Sequence, residues 1–181
     1  MVPGFKNIKD ALRPSGEGLI PAPAKGHGDT GLKSASVEHP VLEALFRFWS
    51  TKKGTLGKLP SRRDISPAEI KKQLPYVAIA DVINGGKDFS FRLCGTMITE
   101  GAGVELTGKN WSDFDNTAHI IARTHKLVKT AAPYYLTNQR ATWAPKDFQH
   151  YSVLALPLSS DGETVDMVLY GIVYQPMAHS E

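Results

Sequence analysis

The side chains in this sequence that could carry chemistry are few and dispersed. Arg92 stands in the alternating run Phe89-Ser90-Phe91-Arg92-Leu93, on the side opposite Phe89, Phe91 and Leu93 if the run is a strand. A guanidinium there has two uses: an ion pair with a carboxylate such as Asp81 on a neighbouring strand, or recognition of an anion by its fork of donors. His119 and His125 are six residues apart on a helical pattern, so they point in different directions and cannot chelate one metal ion together. A surface histidine is the plainer reading of each. Ser61, Ser152 and Cys94 lack a recognisable nucleophile setting, and Cys94, Met97 and Met167 read more simply as core fillers. Gly101-x-Gly103 has no preceding strand, third glycine or acidic partner of a dinucleotide site. No catalytic residue, metal site or cofactor is therefore assigned.

Thr107-Gly108, ahead of Trp111 and Phe114, can be read in two ways. The glycine frees the backbone and the two aromatic rings supply wall area for a pocket mouth, or the same residues plug a small core. Thr96, Ile121 and His125 flank this region on helical segments. With Arg92 they complete the set of candidate ligand contacts: Arg92, Thr96, Thr107, Gly108, Trp111, Phe114, Ile121 and His125.

Positioning these residues falls to one folded unit. The chain has 181 residues, 41% of them hydrophobic, enough for one domain with a substantial core. A single cysteine rules out an internal disulfide and a multi-thiolate zinc site, and a reducing cytoplasm is the expected location. The first twenty residues lack an apolar signal region, and no later stretch approaches the length of a membrane span. The net charge is only +3, but it is unevenly spread. Arg47, Lys52, Lys53, Lys58, Arg62, Arg63, Lys71 and Lys72 are opposed locally by Asp64 and Glu69, whereas Asp147, Asp161, Glu163, Asp166 and Glu181 outnumber Lys146 near the end. The basic run lacks interleaved aromatic residues and any helix-turn-helix or RNP motif, so it reads as solvated surface and nucleic acid is not an expected partner.

Residues 1–37 are rich in Gly, Pro, Ser and Lys and read as a flexible tail, with helical spacing at Phe5, Ile8, Ala11 and Leu12 that could form a short docking helix. Order is expected from Glu38, in a domain spanning 38–176, with 177–181 as a C-terminal tail. Pro40 opens a helix bearing Val41, Leu42, Leu45, Phe46 and Trp49, closed by Gly54 and Gly57. Ser66-Pro67-Ala68-Glu69 predicts a short capped helix to about Gln73. Tyr76–Ile83 and Asp88–Cys94 read as a hairpin around Asn84-Gly85-Gly86-Lys87, whose residues tolerate positive φ. Thr96–Gly103 is a short helix, and Asn116 caps a longer one bearing Ile120, Ile121, Leu127 and Val128 and ending before Pro133. Tyr134–Trp143, Phe148–Leu158 and Val165–Tyr174 read as strands. The class is α+β: a five-stranded antiparallel sheet with helices on one face and an N-terminal amphipathic helix.

Leu59-Pro60-Ser61-Arg62, Asp64, Pro67, Glu69, Leu74-Pro75, Asp81-Val82, Phe91-Arg92-Leu93-Cys94-Gly95-Thr96, Leu106-Thr107-Gly108 and Leu156-Pro157-Leu158 with Asp161-Gly162, set in this element order, resemble a bacterial PAS-like family of small stand-alone proteins, mainly alphaproteobacterial. The resemblance covers roughly Pro40 to Tyr174. It implies a sensory or adaptor domain that binds a small molecule between sheet and helices, or pairs with a signalling protein, and it specifies no ligand. Some PAS proteins hold heme through a helix histidine, which His125 alone would match here. A small α+β enzyme and a purely structural interaction module are the rival readings. The last two strands are apolar on both faces, which predicts that Phe46, Trp49, Val153 and Leu169 form a homodimer interface.

Overall fold

The computed structural model describes residues 32–33 and 36–175; the possible docking helix near Phe5, most of the N-terminal tail and residues 176–181 lie outside them. Ordered packing starts earlier than Pro40. Val37 is buried and Leu32 packs against the core, so the apolar side chains at the end of the expected tail belong to the domain.

Helix α1, Pro40–Leu56, is the only long element on the outer face of the sheet among the described residues. Its start is set by Pro40 at the first turn and by His39, whose Nδ1 accepts from the Val41 N–H at 3.3 Å, satisfying one of the amides a helix N-terminus leaves free. Gly57, at φ 66°, closes it in the left-handed conformation; Gly54 lies inside the helix instead of ending it. Leu42, Leu45, Phe46 and Trp49 face the sheet and are buried.

The sheet runs β2-β1-β5-β4-β3, antiparallel throughout, with β1 at Val77–Ile83, β2 at Asp88–Cys94, β3 at Tyr134–Arg140, β4 at His150–Leu158 and β5 at Met167–Tyr174. Helices α2, Thr96–Ala102, and α3, Ala118–Thr130, cover the inner face. This is the α+β arrangement expected. Alternation along β5 sends Val168, Tyr170, Ile172 and Tyr174 inward and Leu169, Gly171 and Val173 outward. Gly171 is required there: a Cβ would sit 2.7 and 2.9 Å from the Leu42 and Leu45 methyls of α1. Pro157 lies past the stretch of β4 that β3 pairs, a tolerated place for a strand proline, and its carbonyl accepts from the buried Trp49 indole at 2.9 Å.

Several local expectations change. Residues 67–73 form successive turns, and the serine–acid cap expected at Ser66 is found five residues upstream, where the Ser61 N–H and hydroxyl both donate to Asp64 Oδ2 at 2.8 and 2.7 Å. Asn116 adopts φ 59° and donates to the Thr142 carbonyl, leaving Thr117 to precede α3. Trp143 and Phe148 fall in the loop between β3 and β4 rather than in strands. A bulge at Ile79/Ala80, where Ile79 faces Leu93 and Ala80 faces Phe91, turns Leu93 outward, so it is 39% exposed while Phe89 and Phe91 remain in the core. Among the described residues no helix is long and apolar enough to cross a membrane.

Phe46, Trp49, Val153 and Leu169, expected at a subunit interface, are all buried within the single chain. The physical reason is the length of α1: at 17 residues it reaches far enough to cover the outer faces of β4 and β5. Val153 is on the opposite, inner face, paired with Ile172. The surface from which pairing was expected is not on the outside of the molecule.

Candidate functional site

The inner face carries an unusual density of aromatic and hydroxyl groups beneath α2, α3 and the 3-10 turn Trp111–Asp113. Trp111 is placed by a small polar frame. Asp88 accepts from the Ser112 hydroxyl, Asp113 accepts from the Asn110 N–H at 2.7 Å, and the buried Thr117 hydroxyl donates to the Trp111 carbonyl at 2.8 Å. The indole so held meets Phe91 edge-on, with ring centroids 4.8 Å apart, and Trp143 edge-on at 5.0 Å. Phe114 leans on Trp143 at 5.7 Å. From Trp143 the wall continues to Tyr151 at 6.5 Å and from Tyr151 to Tyr174 at 5.7 Å. Tyr151 and Tyr174 are direct cross-strand partners, where side chains are close enough to interact.

A polar chain crosses the same space. Thr124, on the buried face of α3 between Ile120 and Leu127, lies 3.1 Å from the Tyr134 hydroxyl and 3.0 Å from that of Tyr170. The Trp111 indole N–H donates to Tyr170 at 3.4 Å. Burial pushes Tyr134 up to about 12 and Tyr170 well above its ordinary value, so both stay neutral hydroxyls. Burial likewise raises the phenols of Tyr151 and Tyr174.

Of the residues singled out from sequence, Trp111 and Phe114 stand in this wall, and Ile121 is half-buried against the core. His125 closes the helix against the β1–β2 hairpin, with Nδ1 2.9 Å from the Gly86 carbonyl oxygen. The others lie elsewhere. Arg92 is exposed on the outer side of β2 and donates from Nε and Nη2 to Asp81 Oδ2 at 3.1 and 2.9 Å, which is its ion-pair reading. Thr96, Thr107 and Gly108 are exposed. Gly108 donates to the Phe91 carbonyl and Phe91 to the Lys109 carbonyl, each at 2.8 Å, so this turn shields the edge of β2. Cys94 is half-buried with its thiol pushed up by burial, which makes it a poor nucleophile. Among the described residues no three His, Cys, Asp or Glu side chains are placed to hold a metal ion.

Sequence reasoning missed Phe91, Thr124, Tyr134, Trp143, Tyr151, Tyr170 and Tyr174 as site residues. Two signals were available: tyrosines four apart in the last strand, hence on one face, and a lone threonine four after Ile120 and three before Leu127 in an apolar helical stripe.

A family model described as PAS domain matches residues 37–173. No curated protein matches the chain. Among solved structures, a sensory box sensor histidine kinase from Vibrio cholerae is similar at 17% identity and a TM-score of 0.42, over 61% of this chain and 90% of that one.

Proposed function

The chain belongs to the PAS domain family, and from that premise we propose that it is a non-catalytic sensory module that takes a small molecule between its sheet and the helices α2 and α3 and passes the signal to a separate protein in the cytoplasm. The observation that carries this reading is the aromatic wall of the inner face with a buried hydroxyl chain running through it. Ligand sites are typically apolar and aromatic with a few placed polar groups.

Output through a partner protein is part of this reading. The irregular segment between α1 and β1 and the β4–β5 turn are joined by two backbone bonds, Leu59 N to the Gly162 carbonyl at 3.1 Å and Ser159 N to the Pro60 carbonyl at 2.9 Å. A strain in the sheet would therefore reach the basic surface around Lys58 and Arg63.

Native mass spectrometry of freshly purified full-length protein is the test. A retained small molecule, lost on denaturation, is the expected result. Bare protein in repeated preparations, with no mass shift after exposure to a cell extract, would overturn the ligand-binding reading.

A further inference from the structure

The polar groups of the inner face divide into two sets. Around Thr124 every hydroxyl has a partner: Tyr134, Tyr170 and Trp111 answer one another. At the other end, the Trp143 Nε1 and the Tyr174 hydroxyl are buried with no hydrogen-bond partner among the described residues, and Trp143 itself is only 5% exposed. The Tyr151 hydroxyl lies near enough to the Trp143 indole to offset part of the rise that burial gives that phenol, but outside hydrogen-bond geometry, so among the described residues the indole N–H is unanswered. An unanswered buried donor is costly to the fold, and two such groups on one contiguous aromatic wall call for a common partner.

Resting on the sensory reading above, we propose that the Trp143–Tyr151–Tyr174 end of the inner face is the ligand-binding end, and that its ligand is a neutral planar ring bearing a carbonyl oxygen. The rings supply faces for a planar molecule, and an indole N–H and a phenol O–H require an acceptor. Burial holds the Tyr174 hydroxyl protonated, so it remains available as a donor. A charged carboxylate is disfavoured because a buried anion needs a cation, and the nearby ones are committed elsewhere. The Lys146 ammonium donates to the Glu100 carbonyl at 2.8 Å, and Arg123 lies over the Tyr134 ring and against Gln139. Trp143 itself is carried by the 141–149 loop. The loop is irregular and is tied to α2 by Lys146, through that bond and one from its N–H to the Ala102 carbonyl at 3.3 Å.

The test uses three matched probes on the full chain, followed by calorimetry and tryptophan fluorescence: 1-indanone, which has the ring and the carbonyl; indane, which has the ring alone; and indane-1-carboxylate, which carries a charge. Indanone should bind roughly five- to tenfold more tightly than either of the others, the worth of about one hydrogen bond. Tyr174→Phe and Trp143→Phe should each remove most of that preference while leaving the melting temperature unchanged or higher, because each deletes a donor that lacks a partner in the free protein. That opposition of signs is what a merely structural role would not produce. Equal binding of indanone and indane, as expected if the two donors hold only a trapped water, overturns the inference and leaves small-molecule binding standing. A best fit for the carboxylate, no binding by any probe, or a Tyr174→Phe chain that melts several degrees lower also overturns it. In the case of no binding, the native mass spectrum decides separately whether the sensory reading falls too.

Discussion

Thr124 shows how little chemistry a single side chain needs to organise a core. Its methyl sits in the apolar stripe of α3, while its oxygen joins two strands that are distant in sequence. Thr124→Val keeps the shape and removes the oxygen, leaving the Tyr134 hydroxyl without this partner. A loss of about 1–3 kcal/mol in urea unfolding is expected, and an unchanged midpoint would mean that the chain of hydroxyls does not contribute. Arg92 is the opposite case. Its pair with Asp81 is exposed, 57% and 31% for the two side chains, so Arg92→Ala should cost no more than about 0.5 kcal/mol in the same measurement. His39 adds a pH dependence. Burial lowers its pKa below 6.5, so the unfolded chain takes up the proton first, and the stability contributed by the neutral ring, present above about pH 6.5, is lost as the pH falls through that value toward the lower folded one. His39→Asn, which keeps a capping acceptor that does not titrate, should lose less stability between pH 7 and pH 5 than the native chain.

At the scale of elements, the β1–β2 hairpin was the most legible part of the sequence, and for a definite reason: Asn84, Gly85 and Gly86 adopt φ of 49°, 68° and 91°, which only such residues accept readily. Gly86 is further restricted by α3, since a Cβ there would lie 2.9 Å from His125 Nδ1. Valine at both glycines should cost more than about 2 kcal/mol, combining positive φ at two positions with that clash; circular dichroism melts would show it, and an unaltered melt would contradict the turn geometry. Strands and helices with clear periods were legible in kind, with ends displaced by a few residues. The bulge that exposes Leu93 was not, because its extra residue leaves the local alternation intact and is visible only against the partner strand. For the same reason the site was half legible. Trp111 and Phe114 stand out by type, but Tyr134, Tyr151, Tyr170 and Tyr174 converge only once β3, β4 and β5 have been brought into register, and Trp143 reaches them from a loop whose sequence reads as strand.

For the molecule as a whole, the decisive feature is that the chain covers its own sheet on both faces, which recasts what a charge in β5 would do. Leu169 is fully buried beneath α1 and the segment that follows it, so Leu169→Asp would place an unpaired carboxylate in the core and unfold the protein at any concentration. A folded monomer from that variant in sedimentation velocity would instead restore the interface reading. The same outer layer defines where the domain starts. Val37 is 4% exposed and part of the continuous core, although it closes a stretch that composition alone assigns to a flexible tail. Burying a valine side chain contributes about 1.5–2 kcal/mol. A chain that begins at Ser36 keeps this contact and one that begins at Glu38 does not, while both lack the Gly- and Pro-rich residues before it. The shorter chain should melt several degrees lower than the longer one, the shift expected for that energy in a domain of this size. Coincident melts would place the boundary after Val37 and make its burial energetically idle.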